Sequence, residues 1–551
     1  MTINRRQTLA LFGSGAALGL PGALSAQGKA AIRFDHGVAS GDPAADGAVL
    51  WTRATRVDAA AAGDVALTWH IAASADGAPV TSGKAHARAA RDFTAKTVAT
   101  GLKAGTDYWY WFETEDGTRS PVGRFRTLPV GTVAALTFAV VSCQLYGGGL
   151  FNVYDAIARQ PQLDAVLHLG DYIYEYGVDG YGADIAHRIG RIVEPAHDIV
   201  TLADYRARHA QVKRDANMQA AHARAAFICV WDDHEVANDD WIGGAENHDP
   251  AKEGDWAARK AAAMQAYFEW MPIRDPQPGK PWEAINRAFE FGDLATLAMV
   301  ETRLLARSKQ VAAKGEGIAP ADYAPMMAER ALPQRELLGA GQQAWLEGVL
   351  AASVKAGKAW QVLGNQVVMA KVAGPDIEQQ LGPVRFADTM AKLPAVWRGR
   401  LATSIASYRA GLPFNFDSWD GYPPARERLY QAFRRAGSQP IVLSGDSHAA
   451  WANVLHDDAK TAVAVEFGAT AVTSPSYGAL LPGIGALIEQ ANDEVLFCDQ
   501  DHKGYVLLTL DRAAATADFR TVSTVLVATY EERSVARYRC TTAARTTLTA
   551  A

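Results

Sequence analysis

Residues Trp231-Asp232-Asp233-His234-Glu235 set four ionisable side chains in a row directly after the apolar run Ala226-Phe227-Ile228-Cys229-Val230. That run reads as a short buried strand, so the charges stand where a strand leaves a core. Carboxylates give up water only when something positive compensates them. A bound cation does this, and His with Asp is a ligand set for hard or borderline metals. Taken alone, the pentapeptide also fits a solvated loop.

A chain of 551 residues is too long for one compact core, so two or more domains are expected. A formal charge of −6 and a pI near 6.1 leave no electrostatic footprint for nucleic acid, and no such partner is expected. Residues 1–27 read as a targeting segment: Arg5-Arg6, then no charge until Lys29, and small residues at Ala23-Leu24-Ser25-Ala26. The paired arginines before a weakly apolar stretch resemble a twin-arginine (Tat) signal, although Thr8 stands where Phe is usual. A general secretory signal is the alternative. Gly, Ser and Pro21 interrupt the segment, which argues against a stable membrane anchor. The expected location is therefore periplasmic or secreted, with the Tat export machinery as partner. None of Cys143, Cys229, Cys498 and Cys540 forms a CxxC pair, so a zinc knuckle is not expected and disulfide pairing stays open.

Residues 28–130 read as all-β. The alternating run 66–71, the aromatic run 106–113 and turn signals at Asp76-Gly77 and Asp116-Gly117 point to a small β-sandwich. From 131 to 551 the pattern changes to apolar strands alternating with helices, an α/β arrangement. Strands are expected at 136–141, 165–169, 226–230, 296–300, 360–363 and 440–443, and helices at 256–270 and 342–354. Residues 306–338 and 372–407 are polar and longer than ordinary connections, and read as insertions that shape or cover a site. Strand-like alternation returns at 504–527.

Five strand ends carry polar chemistry: Ser142-Cys143-Gln144, Gly170-Asp171-Tyr172-Ile173-Tyr174-Glu175, Trp231 to Glu235, Gly364-Asn365-Gln366 and Ser444-Gly445-Asp446-Ser447-His448. In open α/β sheets the carboxyl ends of strands face the ligand crevice. One Gly-Asp after a strand is ordinarily a turn; five such ends together point to a site. Their order is similar to the calcineurin-like metallophosphoesterases. In detail the chain resembles the alkaline phosphatase D (PhoD) family, with Phe34 to Pro43 and Trp419-Asp420-Gly421-Tyr422 as further matching segments.

The resemblance implies a four-layer α-β-β-α metallophosphoesterase sandwich after a small immunoglobulin- or fibronectin III-like domain. It also implies a hydrolase of phosphate mono- or diesters working at alkaline pH with Fe3+ and Ca2+, Mn2+ or Zn2+ being substitutes. Asp171 would bridge two metals, with Tyr174 and the Cys143 thiolate suited to iron. Asp233 and Asp446 are expected ligands that harden the site toward calcium. His448 and Asn365 are further ligand candidates. The metals would hold a hydroxide for in-line attack on phosphorus, and His234 would stabilise charge or protonate the leaving group. Asp232 and Glu235 are expected to orient these residues. Arg303 and Tyr422 are substrate-binding candidates, although Arg303 and Arg307, four apart, also read as the solvated face of a helix. His36 and Asp42 read as domain-packing residues. Same-site phosphodiesterase, phospholipase D-like or phosphotriester hydrolysis is the alternative activity, and a non-catalytic binding protein the minor one. A monomer is expected.

Overall fold

The computed structural model describes residues 31–58, 63–313 and 318–551. The expected signal segment lies outside the described residues. The apolar runs become strands buried on both faces, as parallel strands must be. Ala135–Val141, Ala165–His168 and Phe227–Cys229 lie parallel and adjacent in a ten-stranded sheet. Ala295–Met299, Trp360–Gly364, Ile441–Ser444 and Ala462–Gly468 do the same in a seven-stranded sheet. The two sheets pack face to face, with Phe138 edge-on to Phe291 at 5.1 Å and Phe467 to Phe519 at 6.4 Å.

Helices close both outer faces. Asn152–Ala158 and Ala216–Arg224 bury Val153, Ile157 and Met218 against the first sheet. Gly339–Lys355 and Pro423–Arg435 bury Leu346 with Leu350 and Leu429 with Phe433 against the second. Each pair is one helical turn apart, which keeps it on the inward stripe. The result is the α-β-β-α layering. Helix Trp256–Trp270 starts where the Asp255 carboxylate accepts the Ala258 N–H at 3.1 Å.

The N-terminal strands are not all in a sheet of their own. Val38–Ala44, Gly47–Arg53 and Thr94–Ala99 extend the ten-stranded sheet, because Val38–Ala44 pairs in parallel with Phe227–Cys229 through Gly41 and Phe227. A Cβ at Gly41 would lie 2.5 Å from the Phe227 carbonyl oxygen and 2.3 Å from that of Pro272, so glycine permits this approach. A four-stranded sheet packs over these strands with Ile71, Tyr110 and Phe125 in the shared core. Buried Asp42 accepts from Arg287 Nε and Nη2 at 2.9 and 2.7 Å and from the Arg274 N–H at 2.8 Å. His36 stands edge-on to Trp270 at 5.2 Å.

The region 306–338 carries helix Pro320–Arg330. The region 372–407 carries helices Ile377–Lys392 and Ala395–Arg409, the first interrupted at Gly382. Beyond the expected C-terminal alternation, Glu532–Thr541 and the edge strand Ala544–Ala550 extend the sheet, and their largely exposed faces hide them from a hydrophobic pattern. All four cysteines are free and buried.

One buried cation joins the N-terminal strands to the layers behind the strand ends. Lys213 is 1% exposed. Its Nζ lies 3.2 Å from His222 Nε2, 4.6 Å above the Trp51 ring and 5.2 Å from the Tyr172 ring. Burial pushes its pKa down to about 7. The unfolded chain, with an ordinary lysine near 10.4, then binds more protons above pH 7, so this residue makes stability rise between pH 7 and about 10. Lys213→Met should remove that rise. Thermal midpoints of both proteins from pH 7 to 9.5 should diverge, the native chain gaining on the variant; parallel profiles would contradict the assignment.

Candidate metal centre

The polar residues at the strand ends sit on strained turns. Cys143, Asp171 and Asp446 adopt φ of 60° and His448 58°, left-handed values that cost a non-glycine residue about 1–2 kcal/mol each. Gly170, at φ 112°, brings two of these turns into contact: a Cβ there would lie 2.4 Å from that of Asp232. One carboxylate ties the turns together. Glu235 accepts the N–H groups of Asp171 at 3.0 Å, Tyr172 at 2.6 Å and Asp232 at 2.8 Å. Burial nevertheless pushes its pKa up to about 7.

Three groups of side chains present ligand atoms that lie within 4.8 Å of one another: Cys143 with Asp171 and His448, Asp171 with Asp233 and His234, and Asp232 with Asp233 and Asp446. Asp171 and Asp233 are shared between groups, as residues between two cations would be. Tyr174 donates its hydroxyl to Asp171 Oδ2 at 2.9 Å and lies 3.3 Å from His448 Nε2. Asp171 Oδ1, Asp233 Oδ1 and Asp232 Oδ2 are buried without a hydrogen-bond partner. Burial and neighbouring carboxylates hold Asp171 and Asp446 well above the usual carboxylate range. Burial and the Asp171 charge likewise raise the Cys143 thiol. Converging oxygens of this kind are costly without positive charge, and cations between them would satisfy all three. The donor set, oxygens with one sulfur and one phenol, fits metal ions.

His234 stands beside the cluster with Nδ1 2.7 Å from Glu175 Oε2. Burial opposes charging its ring, but Asp233, Glu175 and Asp171 outweigh burial and hold its pKa well above the usual histidine range. Glu175 is itself fixed by the Asn238 N–H and the Asn247 amide, both at 2.8 Å. The Tyr174 ring packs on His234 with centroids 4.2 Å apart. Sequence analysis gave Glu175 no role. It directly follows Tyr174 in irregular backbone, where no periodicity marks it.

Arg303 and Arg307 overturn the solvated-helix expectation. Both are fully buried and outside any helix. Glu301 folds this turn by accepting the N–H groups of Arg303 at 2.8 Å, Leu304 at 2.7 Å and Leu305 at 2.8 Å. Arg303 pairs with Asp232, with Asp417 at 2.8 Å and with Asp446 at 3.1 Å, and lies 3.6 Å from Asp233. Arg307 also pairs with Asp417. The remaining two candidates spend their polar atoms on local partners. Asn365 Oδ1 accepts from Trp419 Nε1 at 3.0 Å and its Nδ2 donates to the Val367 carbonyl, so both ends serve the turn. Tyr422 is fully buried and donates to the Ser308 carbonyl at 2.8 Å, which makes it a packed ring rather than a pocket wall. Two acids went unnoticed. Asp417 keeps Oδ2 without a partner, and buried Asp240 keeps both oxygens so. The pair Asp239-Asp240, continuing the acidic run past Glu235, was the available signal for the second.

Residues 138–519 match the model of the PhoD-like phosphatase family, and residues 21–129 match the PhoD-like phosphatase N-terminal domain. Alkaline phosphatase D of Bacillus subtilis (strain 168) is 34% identical over 505 residues, covering 88% of this chain and 77% of that protein. A solved structure of PhoD superposes with a TM-score of 0.77 at 31% identity, covering 94% of this chain and 92% of the other. The chain belongs to the PhoD-like phosphatase family.

Proposed function

We propose that the cluster around Asp171 and Asp233 is the hydrolytic centre of this phosphatase and that it cleaves phosphate mono- or diesters of organic alcohols. The unpartnered buried oxygens of Asp171, Asp232 and Asp233, beside a thiol and a phenol, support this most directly. Cys143, Asp171, Tyr174 and His448 would hold ferric iron, and Asp232, Asp233 and Asp446 would hold calcium, with Mn2+ or Zn2+ as substitutes. Bound cations supply charge against the phosphoryl oxygens and acidify a water.

The chain's own groups do the rest. Asp233, Glu175 and Asp171 raise the His234 pKa, Glu175 through a direct hydrogen bond to Nδ1 that favours the protonated ring. As the oxygen of a water that has released one proton to solvent bonds to phosphorus and the opposite ester bond breaks, the His234 proton passes to the departing alkoxide, and the ring is reprotonated from solvent. Glu175 holds the ring in place through Nδ1, which leaves Nε2 to face the substrate. Arg303 keeps Asp232, Asp417 and Asp446 in register and offsets part of their charge. We also propose that residues 1–27 direct Tat export to a periplasmic or secreted location. On this reading, 28–130 is an orienting domain and 131–551 the catalytic domain of a monomer. Among the described residues no helix is long and apolar enough to cross a membrane.

Asp171→Asn and Asp233→Ala should each lower kcat/KM for 4-nitrophenyl phosphate by more than about 100-fold, since even residues behind the ligands are worth 10–100-fold. Circular dichroism should stay unchanged. Full activity in either variant refutes the centre. Cys143→Ala should lose iron selectively in elemental analysis while keeping calcium; retained stoichiometric iron removes the thiolate from the ligand set.

A further inference from the structure

The metal centre does not end at its ligands. Residues 474–477 run from it in single file. Ser474 Oγ lies 2.6 Å from the Tyr174 hydroxyl and donates to the Cys143 carbonyl at 2.8 Å. The Pro475 carbonyl lies 2.6 Å from His448 Nδ1 and accepts the Tyr181 hydroxyl at 2.6 Å. Two residues on, Tyr477 is 54% exposed and packs edge-on to Phe414 at 5.7 Å. Two residues of extended chain span at most about 7 Å, so Tyr477 stands within one small molecule's length of the ligand His448.

Beyond Tyr477 an apolar cavity of about 100 Å³ opens between helix Ala395–Arg409 and the turn after residue 477. Trp397, Leu401, Tyr408, Phe414 and Leu481 line it, with Ser404 and Arg400 as its polar members. A dry cavity of roughly 150 Å³ lined by apolar side chains takes a benzene ring; this one offers about two thirds of that volume and opens beside exposed Tyr477, so a ring fills it with its edge toward Tyr477. The region that builds one wall is the 372–407 insertion, whose two helices pack on the second sheet only through a few residues such as Ile377 and Ile405. Tyr181, stacked on His448 at 6.1 Å, donates to the same Pro475 carbonyl and so adds an aromatic ring beside this path.

We propose that this cavity is a subsite for the organic part of the ester, and that it selects esters whose alcohol carries a single aromatic ring or a short branched alkyl group. The proposal rests on the phosphatase function above. The phosphoryl group sits among the ligands, the ester oxygen points past Pro475, and the ring passes Tyr477 into the cavity. The insertion thus sets the shape of the leaving group, while the strand ends set the chemistry.

The test compares ethyl phosphate with 2-phenylethyl phosphate, whose alcohols have similar acidity, by release of inorganic phosphate from the full-length metal-loaded protein. The native chain should favour 2-phenylethyl phosphate by at least about tenfold in kcat/KM, the discrimination a well-filled apolar pocket gives. Ser404→Trp fills the cavity and should abolish the preference while ethyl phosphate turnover stays within about twofold. Trp397→Ala enlarges it and should shift preference toward 2-(1-naphthyl)ethyl phosphate, which keeps the test decisive if the first variant misfolds. Equal kcat/KM for both esters in the native chain, or parallel losses on both in the variants, overturns the subsite and leaves the phosphatase function standing. If neither monoester turns over, the same comparison is made on their methyl diesters, and no turnover there either overturns both.

Discussion

Glu235 is the residue on which the geometry of the centre depends. Its two oxygens take three backbone N–H groups from two separate turns, those at Asp171 and Tyr172 and at Asp232. Neither turn is held by a helix or ladder at that point, and Asp171 sits in a left-handed conformation that a free chain would leave. The N–H groups point inward, so each would be orphaned without an acceptor. By collecting them, one carboxylate fixes the positions of Asp171 and Asp233, the two residues shared between ligand groups. Gly170 completes the clamp by letting the backbones touch.

Charge balance follows from that placement. Asp171, Asp232, Asp233 and Asp417 converge in a buried volume with half-buried Asp446, and the protein answers with Arg303, Arg307 and His234. These three cations are fewer than the five carboxylates, and the shortfall shows as oxygens with no partner. A centre built this way is poised for added positive charge. It also explains why the pKa of an imidazole buried as deeply as His234 is raised when burial alone would lower it.

Much of this was legible in the sequence. The apolar runs gave six central strands to within a residue or two, because strands buried on both faces leave an unbroken hydrophobic signature. Their carboxyl ends carried Cys143, Asp171, Asp233, Asp446 and His448, and the fold brings these together. What was not legible depends on partners far apart in the chain. Arg303 looks like a surface residue until Asp232, Asp417 and Asp446, from three other segments, surround it. Asn365 and Tyr422 matched their motifs, yet their polar atoms are consumed locally by Val367, Trp419 and Ser308. The joining of the N-terminal strands to the main sheet turns on a single glycine contact, Gly41 with Phe227, which no periodicity announces.

That shared sheet has a consequence for how the chain comes into being. Its ten strands are drawn from residue 38 through residue 550, with Phe227–Cys229 joined to a strand made long before it and Ala135–Val141 to one made long after. A ribosome delivering the chain from its N-terminus therefore cannot finish the layer on the way. Early strands must wait, edges unpaired, until Lys503–Asp511 arrives, and such waiting edges invite association with other chains. The protein should fold late and as one unit, with its lag set by completion of synthesis rather than by any local step.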